Sequence, residues 1–468
     1  MVPVFLCFCF QDSFLTNLLT KAKINLYLRY NSLKLYKKNQ NTFLFIQSKN
    51  KMSNRRNFLK IAGAGFTGSL FRPISSSASE SSVSNSSVKI GVLLPHSNEH
   101  PNYAGSFLSG LKLAVNSGGL PEDKKIEVIT EQINYGTRRI SLVKAEQLIT
   151  ENKVNMLVGL LNSDVATEIG GLVKNAKLPA IIANAGENYL VNKAKENPYL
   201  FFNSLNLFQN SFLAGKYVVG KYGKNIAVVT SLYDSGYDSL FAFYKGVELA
   251  GGKITETYLK NENEDDFISK TLDSIKKETV NGIYVLLNGN LADDFLRTAF
   301  HQKFSLPIIT TSFAADENRL VNVGEAANGI QSFQTWTKNL NNRENWDFVS
   351  AYKKKYLKEP DQFGFLGYET GLIINDSVLK CQGNISGNHI AHAIRSCKIN
   401  SPGGKIYVNE KSGLVNNPLY LCETKMSGMN IPENEIIEQY TSISEFDENF
   451  IPLDTNLRSG FVNPYLFV

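Results

Sequence analysis

The sequence predicts an α/β fold in two lobes, each built on a parallel sheet with helices on its faces. Two observations carry this: a strand–helix–strand unit over residues 155–188, and a restart of the same alternation after Phe202. In the unit, apolar runs at 156–161 and 179–183 have the length of buried strands. Val165, Ile169, Leu172, Val173 and Ala176 between them line one helical face. Strands joined in this way are parallel, so their carboxyl ends open on the same sheet edge, where ligands of such sheets bind. The runs stop at small polar turns, Asn162-Ser163-Asp164 and Asn184-Ala185-Gly186-Glu187. These turns offer backbone N–H groups, amides and a hydroxyl to a carboxylate or amide. Ser163 or Asp164 reads equally well as the cap of the following helix.

The 468 residues suffice for two or three domains. Twelve of the 49 Lys and Arg but one of the 43 acids fall within residues 1–78, so residues 79–468 carry a net charge of −5 against +6 for the whole chain. That balance argues against a nucleic-acid surface. Residues 1–51 show no steady periodicity and read as an upstream mis-start or a membrane-directed leader. Met52 opens a second beginning: Arg55-Arg56 with Asn57-Phe58-Leu59-Lys60, the apolar stretch 61–71, then Ser76-Ser77-Ala78. This is the pattern of a twin-arginine signal peptide over 52–78, cleaved near Ala78; it implies the twin-arginine export machinery as a partner and a periplasmic destination. Residues 79–87 read as a linker. Cys7 and Cys9 belong to the leader, and Cys381, Cys397 and Cys422 permit one disulfide at most or three buried thiols.

The folded part opens with a buried-strand pattern at 88–94, a loop at 95–102 and a helix whose apolar face holds Phe107, Leu108, Leu111, Leu113, Ala114 and Val115. A strand at 126–130 and a helix at 138–151 lead into the unit above. After Phe202 come helix 208–222, strand 225–230, turn 231–237, helix 238–250 and strand 253–259. Helix 266–277, strand 282–287, turn 288–290, helix 291–302 and strand 306–310 complete a second lobe on the plan of the first. A strand at 330–335, helices at 346–356, 365–380 and 390–397, and a hairpin-like pair at 401–407 and 418–421 follow. Past Met426 the residues are polar and acidic and predict a poorly packed tail. Two lobes of one architecture leave a cleft, a favoured place for a ligand.

The opening 89–95 with Tyr103 and Gly110, the run 158–185, the turn 233–239, Gly367-Tyr368-Glu369 and the close at 401–421 follow one another in a telling order and spacing. Through these pieces, over residues 88–424, the chain resembles the type I periplasmic solute-binding proteins of ABC importers, in the branch of leucine/isoleucine/valine- and amide-binding receptors. The resemblance implies two Rossmann-like lobes, 88–203 with 335–399 and 204–334 with 400–426, joined by a three-strand hinge. The crossings would fall near 202–206, 333–337 and 398–401, with 427–468 left as a tail. It also implies a monomeric receptor that traps a small polar solute, an amino acid, amide or related compound, by hinge closure and presents it to a membrane permease.

Placed on this family, Tyr103 falls at a ligand-facing tyrosine, and Ser163 at the serine that receives a carboxylate, with Asn162 beside it. Ala185 and Glu187 fall where backbone and a threonine bind carboxylate and ammonium. Glu187 departs from that pattern, since a carboxylate there repels a ligand carboxylate. Tyr233, Ser235 and Tyr237 flank the usual second-lobe tyrosine, and Asn288, Asn290, Ser312 and Phe313 occupy the other cleft loops. Each of these reads equally as a surface turn residue.

An enzyme on a doubly wound sheet would need parts that are missing: a G-x-S-x-G elbow, a G-x-G-x-x-G turn after the first strand, or a Gly-Lys-Ser/Thr phosphate loop. No catalysis, cofactor or metal is expected. His389 and His392 stand three apart with no Cys or acid nearby to complete a metal site. The same two-lobed trap also serves sensors that signal through a partner.

Overall fold

The structure, a computed structural model, describes residues 87–440 apart from 99, 118–124, 187–196, 235–237 and 262–263, and does not describe the side chains of Ser163, Asp164 and Asp238. The export signal and its cleavage site lie outside the described residues, as do Glu187, Ser235, Tyr237 and the tail from residue 441.

The first sheet takes β1 (Val88–Leu94), β2 (Ile126–Gln132), β3 (Met156–Leu160), β4 (Ala180–Asn184) and β5 (Leu200–Ser204), all parallel, in the order β2-β1-β3-β4-β5. Its interior strands are apolar on both faces, as a sheet covered on both sides requires. Ile90, Val92 and Val158 face one core with Phe107 and Ile374, while Leu93 and Leu157 face another with Ile169 and Val173.

The second sheet repeats the plan. Strands β6 (Asn225–Ser231), β7 (Lys253–Lys260), β8 (Gly282–Leu286), β9 (Ile308–Thr310) and β10 (Gln331–Gln334) are parallel in the order β7-β6-β8-β9-β10. Two antiparallel strands, β14 (Leu419–Met426) and β15 (Pro432–Tyr440), extend it beyond β10. In each sheet the first strand lies between the second and the third, so the connections diverge there and open a crevice at the strand carboxyl ends.

The helices are α1 (Tyr103–Ser117), α2 (Arg138–Thr150), α3 (Ser163–Ala176), α4 (Leu207–Tyr222), α5 (Asp238–Leu249), α6 (Phe267–Ile275), α7 (Gly289–His301), α8 (Glu317–Val323), α9 (Arg343–Tyr356), α10 (Gln362–Lys380) and α11 (Gly387–Arg395). Among the described residues, none is long and apolar enough to cross a membrane. Glycines bring two helix pairs into backbone contact. A Cβ on Gly110 of α1 would lie 1.9 Å from the Gly364 carbonyl oxygen of α10, and one on Gly367 would lie 2.0 Å from that of Phe107. Gly215 of α4 and Gly246 of α5 make the same approach in the second lobe, at 2.3 Å from the Phe243 oxygen and 2.2 Å from that of Phe212. Only a residue without a Cβ permits this.

Three expectations change, and a fourth is resolved. The hairpin does not form: β12 (Gly404–Val408) pairs with β11 (Lys398–Ser401) and β13 (Val415–Asn416) in a small antiparallel sheet, whereas β14 pairs with β10 and β15. Residues 404–416, given by the resemblance to the second lobe, instead reach β5 of the first sheet: Phe202 N–H donates to the Gly413 carbonyl at 3.0 Å and Phe202 bridges Leu414. The tail is shorter than expected, because residues 432–440 form β15. Its charged side chains suit an edge strand, and buried Asn434 pins it, donating from N to Glu317 Oε1 at 3.0 Å and from Nδ2 to the Ala315 carbonyl at 2.8 Å. Cys381, Cys397 and Cys422 are three separate buried thiols.

The glycine contacts carry a direct prediction. Gly367→Ala should lower the unfolding free energy by at least about 2 kcal/mol in urea titrations, because backbone must move to admit the methyl group. Gly171→Ala, on the exposed side of α3 with nothing within 4 Å of the added Cβ, should raise it by about 0.5–1 kcal/mol. Equal changes at the two positions would contradict the close approach.

Candidate functional site

The crevice of the first lobe is bordered by the turns after β1, β3 and β4. Asn162 caps α3, its Oδ1 accepting from Val165 N at 2.9 Å, so this oxygen is committed to the helix and Ser163 becomes the first helical residue. Asn184 folds onto the turn it begins, its Oδ1 accepting the Gly186 N–H at 2.9 Å. The Ala185 and Gly186 carbonyls accept from Leu207 N (2.8 Å) and Phe208 N (3.1 Å) at the start of α4. Gly186 sits at φ +98°, and a Cβ on it would lie 2.6 Å from Asn206 N. The expectation of a free N–H at Gly186 is therefore corrected: the turn is folded onto the chain's first passage between the sheets. Among the described residues, the Asn184 Nδ2 is a donor buried without a partner.

In the second lobe the turns after β6 and β8 are joined by Asp234, which is 2% exposed. Ser231 Oγ donates to its Oδ2 and Asn288 Nδ2 to its Oδ1, both at 2.6 Å. Asn288 is thereby turned toward its own lobe, and Asn290 is exposed on α7. Ser312, after β9, is buried; its Oγ has no partner and its carbonyl accepts Gln362 Nε2 of α10 at 2.6 Å. Sequence reasoning placed Asp234 within a matching turn but gave it no role, because a lone Asp in a turn looks like any solvated one.

Aromatic rings from turns of both sheets converge. Phe313, after β9, stacks on Phe363 of α10 with centroids 5.8 Å apart and planes 16° apart. His100, in the loop after β1, lies 5.6 Å from Phe313 and 5.8 Å from Phe363, and Tyr103 meets Phe363 edge-on at 5.6 Å. Tyr233 packs against the same cluster, within electrostatic reach of the Tyr103 hydroxyl. Of these five, Tyr103, Tyr233 and Phe313 were legible as candidates, whereas His100 and Phe363 carry no periodic or motif signal.

Burial, helped by the Arg319 charge, lowers the His100 pKa to about 4, so the ring is neutral at pH 7. Burial and then Tyr233 push the Tyr103 phenol up, which keeps it protonated. The cluster is apolar and uncharged, and its rings are packed on one another, with Tyr103 1% and Phe313 4% exposed. No group of three or more His, Cys, Asp or Glu able to hold a metal occurs among the described residues.

Beside the rings, two carboxyls face each other. Asp316 caps α8, accepting Asn318 N at 3.0 Å, and Asp361 caps α10, accepting Gly364 N at 2.7 Å on one oxygen and Ser106 Oγ at 2.7 Å on the other. Gln362 N donates to Asp316 Oδ2 at 3.3 Å and Asn318 Nδ2 to the Pro360 carbonyl at 3.1 Å, so the two caps are stitched together. Burial first, then the charges of Asp361 and Glu317, push Asp316 up to about 7. Burial raises Asp361 as well.

The chain matches the family model described as periplasmic binding protein over residues 87–429. It is 22% identical over 344 residues to Leu/Ile/Val-binding protein homolog 6 of Brucella abortus (strain 2308), a match spanning 72% of this chain and 87% of that one. Its fold is similar to that of an ABC transporter substrate-binding protein from Sphaerobacter thermophilus, with TM-score 0.70 and 22% identity over 76% of this chain and 98% of the other. A solute binding protein of an ABC transporter from Rhodopseudomonas palustris BisB5, in complex with 3,4-dihydroxy benzoic acid, gives TM-score 0.67 at 22% identity and the same coverage.

The carboxyl pair predicts a pH dependence. A carboxyl whose folded pKa lies above its unfolded value contributes stability that is full below pH 4 and is lost as pH rises to about 7. Asp316→Asn keeps a capping oxygen and removes the charge. At pH 8 it should be more stable than the parent by about 1–2 kcal/mol, allowing for partial solvent screening, and at pH 4 indistinguishable from it. Denaturant titrations at the two pH values check this, and parallel losses in both proteins would contradict it.

Proposed function

The chain belongs to the periplasmic binding protein family, and from that premise we propose that it is the extracytoplasmic solute-binding receptor of an ABC importer. It takes one small polar solute, an amino acid, amide or related compound, into the crevice between its lobes and does no chemistry on it. The observation that supports this best is the convergence of Tyr103, Tyr233 and Phe313, carried by turns of both sheets at strand carboxyl ends. In this reading the Asn162 and Asn184 side-chain amides form the polar wall, with Asn290 and Ser312 from the second lobe, and Ser163, Ser235 and Tyr237 are further candidates on the sequence alone. The twin-arginine signal over 52–78 delivers the protein to the periplasm, where as a monomer it meets a membrane permease.

A second reading concerns the solute's chemistry. The packed rings of His100, Tyr103, Phe313 and Phe363 favour a flat or strongly apolar body over a small amide. The R. palustris relative named above holds an aromatic acid. An aromatic carboxylate therefore stands beside the branched-chain amino acids as a candidate.

Thermal-shift screening of residues 79–468 against isoleucine, leucine, glutamine, urea, benzoate and 3,4-dihydroxybenzoate tests both readings. A saturable rise in melting temperature with the solute recovered unchanged is expected; a ligand at 100 times its Kd adds about 2.7 kcal/mol. Turnover of a stabilising compound would overturn the receptor assignment, and stabilisation by the benzoates alone would select the aromatic reading. Glu187→Thr should shift preference toward zwitterionic amino acids. Unchanged affinity for every class would place Glu187 outside the crevice.

A further inference from the structure

Glu369, in the middle of α10, is fully buried and belongs to none of the crevice turns. Its Oε2 accepts Ser401 Oγ at 2.5 Å and its Oε1 accepts Asn417 Nδ2 at 2.6 Å, and Asn203, whose Nδ2 donates to Thr370 Oγ1 at 3.1 Å, lies within reach of the same carboxyl. Asn203 lies in β5, just before the chain leaves the first sheet for α4. Ser401 ends β11, and Asn417 stands two residues before β14, where the chain re-enters the second sheet. All three are at most 2% exposed. The remaining passage, after β10, joins the same group: Thr335 Oγ1 donates to the Leu205 carbonyl at 2.7 Å. Gly403, whose N–H donates to Ser401 Oγ at 3.1 Å, lies so near that a Cβ on it would be 3.3 Å from the Thr335 oxygen. One carboxyl thus sits where the three passages between the sheets meet.

We propose that Glu369 is a positioning residue for lobe closure, holding the three passages together as a neutral acid and loosening them when it gives up its proton. Among the described residues no cation contributes to its shift. The titratable groups within its electrostatic reach are the Cys397 thiol of the α11–β11 turn and the Tyr420 phenol of β14, both kept neutral by burial. A buried carboxylate without a positive partner is costly, and this one has only neutral donors. Burial lifts its pKa to about 7 against the opposing effect of those donors. The amide oxygens of Asn203 and Asn417 are buried without partners. A carboxyl proton supplies the donor that a turned Asn417 amide would accept, and the charged form supplies none. Ionisation therefore favours an arrangement that admits water to this point, which separates the passages.

The full chain carrying Trp346→Phe and Asp316→Asn tests this, because Trp336 is then its sole tryptophan and Asp316, the neighbouring carboxyl also raised to about 7, no longer titrates. Trp336 stacks on Phe365 at 5.3 Å, and the Phe365 ring edge abuts Gly403, so its emission reports on the passages. Titration from pH 5 to 9 should show a transition near pH 7 in Trp336 emission, with a larger radius of gyration by small-angle X-ray scattering on the alkaline side. Glu369→Gln keeps the shape and the neutral state and should hold both signals at their acidic values throughout. Ser401→Ala removes a donor that favours the charged form and should move the midpoint up by about one pH unit. A flat titration in the parent, a transition that persists in Glu369→Gln, or a midpoint unmoved in Ser401→Ala each overturns the proposal. If either variant fails to fold, the other decides. The inference reaches beyond solute capture and its readouts use no solute, so its failure leaves the receptor reading standing.

Discussion

Neighbouring strands joined by one crossover helix run parallel in both sheets, and that constraint places the turns that border the crevice. It sends the turns after β1, β3, β4, β6, β8 and β9 to the carboxyl edges of their two sheets, so each residue available to a solute leaves from one side of its lobe. The repeated order, with the first strand between the second and the third, then fixes where those turns part. The glycine contacts of Gly110 with Gly364 and of Gly215 with Phe243 serve the same end, because they lay helices flush against each lobe.

Within that frame the crevice is built mainly from neutral groups. His100 loses its charge to burial, Tyr103 keeps its proton, and the Asp234 carboxyl is occupied by Ser231 and Asn288. The acids Asp316, Asp361 and Glu369 lie beside or behind the rings, each raised by burial and each accepting hydrogen bonds between segments distant in sequence. The ring cluster and the carboxyl at the passages between the sheets are in this way separate sets of residues.

Much of this was legible before any coordinates. Strands buried on both faces, such as VKIGVLL and AIIAN, announce themselves by continuous apolar runs, and the small polar residues that end them mark the crevice edge. Where the signal failed, the reason is physical. The helices at 343–356, 362–380 and 387–395 each begin three residues before the predicted start, because their first turns carry no apolar face; the side chains of Asn342 and Asp361 cap the first two. β15 hid behind its charges because an edge strand needs no hydrophobic pattern. The role of Glu369 was invisible although its motif was noticed, since its partners Ser401 and Asn417 are 32 and 48 positions away.

The central claim is that a single solute is gripped by turns of both lobes at once. Isothermal titration of whichever of isoleucine and 3,4-dihydroxybenzoate binds, applied to the parent, to Tyr103→Ala in the first lobe and to Phe313→Ala in the second, tests it most directly. One site per chain is expected, with affinity reduced at least about tenfold by either substitution. Affinity lost from one lobe's substitution while the other leaves it untouched would contradict it.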